Sequence, residues 1–457
     1  MNKFFGTKQF YRGVLAVTIP IAIQNAISNF ISLLDNVMVG QVGTEQMSGV
    51  TIVNQLMFVY FLGIFGAVSG AGLFTAQFYG KGDEEGIRQT FRYKLYSALL
   101  LCAGAMILFL TCGEWLIGLY LGTEGEGNPE LVMHYARQYL AVVMIGMIPT
   151  AVAQVYSGTL REVGHAMPPM VAGIVGVAVN GVLNYVLIFG KFGAPELGVR
   201  GAALATVIAR FAELALVVLW THTHTGKVGF ARGLYRSLRI SGGLARRIFI
   251  TGTPLLLNET LWAMAQAMLM QCYSGAGPSV VPALSISNAF FDTASVLYLS
   301  LGTAIAIVLG QTLGAFGSER ARQDAPRLMT LSLMTGFLTT AVILGCSFFF
   351  PDIYNTTTEV KELARAFMRI AAAAAPIHAF CNASYFTLRS GGKTVITFLF
   401  DSVYAWVVSV TLAFCLVHFT SLPIVTVYFI CQFVDVTKCT VGLILVRHGS
   451  WATSIVE

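Results

Sequence analysis

Asp35 stands inside a long apolar run. A carboxylate there costs about 2.5–3.5 kcal/mol on insertion scales, so its position calls for a function. It ends a polar stripe, Gln24, Ser28, Ser32 and Asp35, whose spacings keep one face of a helix. Asn180 and Asn184, four residues apart, share a face of a second run, and Thr206 lies in a third. A carboxylate, two amides and a hydroxyl are oxygen donors, the set that a hard cation such as Na+ takes. The same carboxyl, kept from water, is also suited to carry a proton. Asparagines in apolar helices also bond neighbouring helices, and the sequence leaves these readings open.

A second group lies later in the chain. Asn258, Glu259 and Trp262 fall in one run, Asp292 in the next, His378, Asn382 and Tyr385 in another, and Asp401 with Trp406 in the one after. With Gln24 and Ser28, the residues Glu259, Trp262, Asp292, His378, Asn382 and Asp401 are expected to line a substrate cavity or a second coupling site. Asp401 could instead pair with Lys393, and His378 could be a packed polar residue. Other motifs fail. Ser390-Gly391-Gly392-Lys393-Thr394 resembles the end of a phosphate loop, but that pattern needs glycine where Thr387 stands. His222 and His224 are two histidines without further ligands, and the eight cysteines form no CxxC pair. No enzyme, no cofactor and no resident metal is therefore expected.

These side chains need elements to hold them. The chain has 457 residues, 56% hydrophobic and 11% charged, against roughly 25% charged in a soluble domain. That excludes a soluble enzyme, a disordered chain and a disulfide scaffold. Twelve apolar runs are long enough to span a membrane: 13–39, 48–79, 93–113, 133–158, 167–189, 197–220, 248–272, 281–313, 328–350, 362–388, 394–418 and 422–446. The first follows Lys3, Lys8 and Arg12, but it is too long for a signal peptide and is read as a retained helix. Alternate loops collect Lys and Arg, among them Lys81, Arg88, Arg92 and Arg161. The others collect Glu45, Glu114, Glu130, Asp352 and Glu359. The bias predicts both termini in the cytoplasm of a multi-pass plasma-membrane protein. It also accounts for the net charge of +6 without nucleic acid.

The chain repeats itself. At an offset of 234, Gln77, Gly80, Glu85, Arg88 and Gln89 match Gln311, Gly314, Glu319, Arg322 and Gln323, and Pro20 matches Pro254. At 228, Arg137 matches Arg365, and Thr159-Leu160-Arg161 with Gly164 matches Thr387-Leu388-Arg389 with Gly392. Each half then holds six helices entering from the same side. Parallel repeats of this kind bind substrate between the halves. The expected lobes are 1–226 and 248–457, joined by a basic linker, 227–247. Arginines shared by both halves read as loop anchors. Acids of one half only, Asp35, Glu259, Asp292 and Asp401, align with Leu269, Asn25, Phe58 and Gly173 and need another reason. Pro20 removes a helical hydrogen bond and is the expected hinge of the first helix.

The chain resembles the multidrug and toxic compound extrusion (MATE) transporters over nearly its full length. The carriers are Pro20 with Leu34-Asp35-Asn36-Val37-Met38-Val39-Gly40, Ala76-Gln77-Phe78-Tyr79-Gly80-Lys81-Gly82-Asp83, and the segment from Gly198 to Thr206. Gly310-Gln311-Thr312-Leu313-Gly314 and Lys438 with Gly449-Ser450-Trp451 complete them. The resemblance implies an all-α membrane protein of two six-helix lobes in a V around a central cavity. It implies export of bulky, often cationic amphiphiles in exchange for Na+ or H+. The cation-responsive aspartate would be Asp35, with partners Asn180, Asn184 and Thr206, and Glu259 resembles a glutamate that some members use. Many relatives carry Asp where Asn184 stands, which bears on the choice of ion. The alternative in the same superfamily is a lipid-linked oligosaccharide flippase, which would draw on Arg210, Arg365 and Arg369. The expected partners are small-molecule substrates and the lipid bilayer, with a monomeric chain.

Overall fold

The computed structural model describes residues 4–121 and 128–456, without the side chains of residues 31–34, 36 and 37. Among the described residues the chain is helical throughout and has no strand. The helices are α1 (Lys8–Gly40), α2 (Thr44–Lys81), α3 (Glu84–Tyr120), α4 (Pro129–Val143), α5 (Met147–Glu162), α6 (Met167–Ile188) and α7 (Val199–Thr223). There follow α8 (Gly242–Ser274), α9 (Val280–Cys346), α10 (Thr358–Ser390), α11 (Thr394–Phe398), α12 (Thr411–Phe419), α13 (Ile424–Phe433) and α14 (Asp435–His448). Asp83 caps α3 by accepting the Gly86 N–H at 2.9 Å, and Thr357 caps α10 through the Val360 N–H.

Among the described residues nine helices are long and apolar enough to cross a membrane, by length and composition. The expected runs 133–158, 394–418 and 422–446 are each one of these nine and are each built of successive short helices. Runs 281–313 and 328–350 share the rod of α9, which breaks at Gly317, φ 76°. α8 and α10, 33 residues each, are outside the nine. They are the helices that carry Asn258, Glu259, His378, Tyr385 and Arg389. Polar residues held inside the protein lower the apolarity by which a span is recognised.

The helices gather into two compact units. One comprises Ile23–Thr75 and Asp83–Ile248, here the N unit. The other comprises Met1–Ala22, Ala76–Gly82 and Phe249–Glu457, here the C unit. In the N unit, Phe91 and Tyr156 meet edge to face at 4.8 Å. The basic linker is docked on α3 rather than looped free. Phe230 and Leu234 are buried, and Arg92 donates to the carbonyls of Leu234 (3.1 Å) and Arg239 (3.2 Å). Arg88 donates to that of Phe230 at 3.2 Å. In the C unit, one cluster centres on Trp451, Leu301, Ile305 and Leu388, and another on Tyr273, Phe367 and Tyr428. Large exposed side chains such as Leu100, Leu110, Phe337 and Ile444 make an outer surface suited to lipid.

The repeat is visible inside the C unit. The end of α2 crosses α9 backbone to backbone. A Cβ on Gly80 would lie 2.1 Å from the Gln311 carbonyl oxygen, and one on Gly314 would lie 2.0 Å from that of Gln77. The matched Gln–Gly pairs therefore bury one another reciprocally, which only glycine permits. Gly164 and Gly392, also matched, both take positive φ, 80° and 75°, where α5 and α10 end.

Candidate functional site

In the N unit, α1, α6 and α7 bring Asp35, Asn180, Asn184 and Thr206 together. Asn184 Nδ2 donates to Asp35 Oδ1 in a short contact and to Asn180 Oδ1 at 3.3 Å. Asn180 Nδ2 donates to Thr206 Oγ1 at 3.3 Å, and Thr206 donates to the Ala202 carbonyl. Both asparagines are buried, and Asn184 Oδ1 has no hydrogen-bond partner among the described residues. An unpaired buried acceptor costs about 1–3 kcal/mol. Beside a carboxylate, it is an oxygen available to an incoming cation. Tyr139, which sequence reasoning passed over, and Arg210, which it weighed only for a flippase, border the group. The Tyr139 hydroxyl donates to Asn54 Oδ1 at 3.4 Å and stands beside Thr206. Arg210 acts electrostatically on Asp35 and pairs with Glu213 at 2.9 Å. Arg210 comes four residues after Thr206 on the same helix face, so spacing alone could have put it beside this group.

The rest of the α1 stripe is placed differently. Gln24 accepts from Arg161 Nη2 at 2.6 Å. Ser28 is exposed, and the Ser32 side chain lies outside the described residues. Arg161 is thus no loop anchor, because it reaches from α5 to α1. The N unit also holds a buried ion pair absent from the sequence expectations, Lys94 with Glu162. Lys94 also donates to Thr159 Oγ1 at 3.2 Å. Gly72 makes room for the Glu162 carboxylate, since a Cβ there would lie 2.3 Å from Oε1.

The C unit assembles a second network. Asn258 Nδ2 donates to Asp401 Oδ2 (3.0 Å) and to the Tyr385 hydroxyl (3.2 Å). Arg389 donates to the same hydroxyl at 3.2 Å and lies 3.5 Å from Glu259 Oε1. Lys438 Nζ donates to Asp401 Oδ1 at 2.7 Å. Lys438, and not Lys393, is therefore the partner of Asp401. Arg389, buried like Asn258 and Tyr385, is a corrected loop anchor. Asp401 lies in a π-helical turn, Leu399–Val403. Such turns often mark functional positions, and here Ser402 also bonds Asn258 through Oγ at 2.8 Å. His378 lies 3.8 Å from Asp435. Asn382 packs on Gly302 with its Oδ1 unpartnered among the described residues, Trp262 is 41% exposed and Asp292 is exposed. The structure does not bring these last three into the network.

The Gln24–Arg161 contact and the C-unit network are related through the repeat. Gln24 aligns with Asn258, Asn25 with Glu259, Gly173 with Asp401 and Arg161 with Arg389. Gln24 packs against Gly173, as Asn258 bonds Asp401, and each arginine reaches the first helix of its half. One helix arrangement thus carries two carboxylates in one copy and neutral residues at the same positions in the other, with an arginine in both.

The sequence matches the MatE family over residues 20–186 and 254–431. The chain belongs to the MatE family. Two curated relatives are similar along their length. The probable multidrug resistance protein YoeA of Bacillus subtilis is 24% identical over 430 residues, 92% of this chain and 89% of that protein. The probable multidrug resistance protein NorM of Thermotoga maritima is 25% identical over 452 residues, 96% and 92%. Among solved structures, a mutant of the Vibrio cholerae MATE transporter VcmN aligns with TM-score 0.86 at 17% identity, covering 96% of this chain and 97% of that one. A crystal structure of MATE in the straight conformation aligns with TM-score 0.83 at 20% identity, covering 95% of each. The fold is the MATE fold, and the long apolar helices are those of a membrane transporter.

Proposed function

We propose that this MatE-family protein is a secondary active transporter. It exports amphiphilic, cationic drugs or toxic organic compounds across the bacterial cytoplasmic membrane, in exchange for Na+ or H+, by alternating access. The finer architecture proposed with it is twelve crossings in two six-helix lobes, both termini cytoplasmic. The names of the curated relatives support the multidrug reading. One observation carries the coupling site: Asp35 is joined to Asn180, Asn184 and Thr206, with Asn184 Oδ1 left unpaired among the described residues. In the C-unit network the acids are already matched, Asp401 by Lys438 and Glu259 by Arg389, and Asp292 is exposed outside it, so the incoming cation binds at Asp35.

Na+ would gain the carboxylate and the amide and hydroxyl oxygens together, and H+ would gain the carboxylate alone. Either drives export only by favouring one conformation, since an ion indifferent to state shifts nothing. Binding at Asp35 pulls α6 and α7 toward α1, which bends at Pro20, and the substrate is released outward. A flippase for lipid-linked oligosaccharides would need free cations for a pyrophosphate. Its candidate arginines are taken up, Arg210 by Glu213, Arg365 by Asp352 at 2.6 Å, and Arg369 over the Phe348 ring at 5.3 Å. The test is efflux of a fluorescent organic cation from proteoliposomes, with sodium and pH gradients imposed separately. One of the two gradients should drive export. Export indifferent to both would remove the antiport reading.

A further inference from the structure

Cys381 on α10 and Cys439 on α14 face each other within the C unit, their Sγ atoms 3.1 Å apart. Each thiol reaches across the helix pair to the other helix. Cys381 Sγ lies 3.7 Å from the Asp435 carbonyl oxygen and Cys439 Sγ lies 3.4 Å from that of Ile377. Both cysteines are free. Their surroundings are polar: His378 is one turn before Cys381, Asp435 one turn before Cys439, and Lys438, which holds Asp401, is next to Cys439. An apolar packing role needs neither the reciprocal pairing nor this company.

We propose that Cys381 and Cys439 are a redox modification site, a dithiol that a peroxide converts to a disulfide, tying α10 to α14 beside the Asp401–Lys438 pair. A disulfide is about 2.05 Å long, so closure needs an approach of about 1 Å. One thiol loses its proton to solvent, and the thiolate attacks a peroxide oxygen. The O–O bond breaks, leaving a sulfenic acid and a hydroxide that regains the proton as water. The second thiolate displaces the sulfenic hydroxyl, which leaves as a second water with that thiol's proton. Two thiols lose two electrons and one hydrogen peroxide becomes two waters. The tether fixes α14 against α10, and with it the lysine that neutralises Asp401, so oxidation slows transport. The effect on rate rests on the transporter reading, whereas the disulfide does not.

The experiment uses full-length protein in liposomes, with the other six cysteines replaced by serine, and hydrogen peroxide as the oxidant. After treatment, mass spectrometry should find the two peptides joined, and maleimide should label neither thiol. Export of a fluorescent cation should fall several-fold, and dithiothreitol should restore both readouts. Cys439→Ser and Cys439→Ala, two variants in case one folds poorly, should export normally and ignore peroxide. Thiols that stay maleimide-reactive, or that become sulfinic acids with no joined peptide, overturn the site. A joined peptide with unchanged export overturns the lock. Untreated protein that exports nothing under any gradient counts against the transporter reading, and the joined peptide still decides the dithiol.

Discussion

Asp35 and Asn184 carry different parts of the same task. Replacing the carboxylate removes the charge that any coupling ion needs, so Asp35→Asn should abolish gradient-driven export while the protein still folds and inserts. Size-exclusion profiles beside an efflux assay check both halves of that expectation. Asn184→Ala should leave a proton site intact but remove an oxygen from a sodium site. For sodium coupling, half-maximal export should need about tenfold more sodium or beyond, the equivalent of about 1.4 kcal/mol. The buried Lys94–Glu162 pair makes a separate prediction. Lys94→Met removes the lysine that pairs with a buried carboxylate and should destabilise the protein by about 3–5 kcal/mol, and adding Glu162→Gln should recover much of it. Thermal unfolding of the two variants measures this. Much of the residue scale was legible. Asking which charges occur in one half only picks out Asp35, Glu259 and Asp401. The same question picks out Lys94 and Glu162, which align with Leu328 and Ser390, but the reading weighed acids in apolar runs and passed over a lysine at the start of one. Partners were beyond reach, because whether Asp401 meets Lys393 or Lys438 depends on which helices adjoin.

At the scale of elements, the repeat was the best guide. It pairs Gly80 with Gly314 in sequence, and the structure uses them as two sides of one crossing. A side chain at either has no space against a backbone carbonyl. Gly314→Val should therefore lower the melting temperature markedly, and exposed Gly104→Val, with nothing near its Cβ position, should cost far less. Comparing the two melting curves separates close approach from helix propensity. α8 and α10 fell short of a membrane-spanning composition because they hold the polar network. Hydropathy weighs a side chain the same whether it meets lipid or a partner. The π-helical turn at Asp401 left no mark in the sequence, since a wider turn arises from the packing of Asn258 against Ser402 and Asp401.

For the whole molecule, two compact units share α1 and α2, each of which runs from one unit into the other. The division in α1 falls between Ala22 and Ile23, just after Pro20. The basic composition of the linker was legible, but its docking was not, because the groups that hold it are backbone carbonyls met by Arg88 and Arg92. Arg92→Ala should release it, and trypsin should then cut at Arg232, Arg236 and Arg239 faster than in the parent, as gel bands over time will show. The central claim is that a cation at Asp35 is exchanged for the organic substrate. Linkage makes exchange reciprocal, so a substrate gradient alone should drive the coupling cation the other way. Cation flux recorded in proteoliposomes given only a substrate gradient tests this. The account predicts opposed flux in the parent and none in Asp35→Asn that still binds substrate. Equal flux in both proteins, or none in the parent, would contradict it.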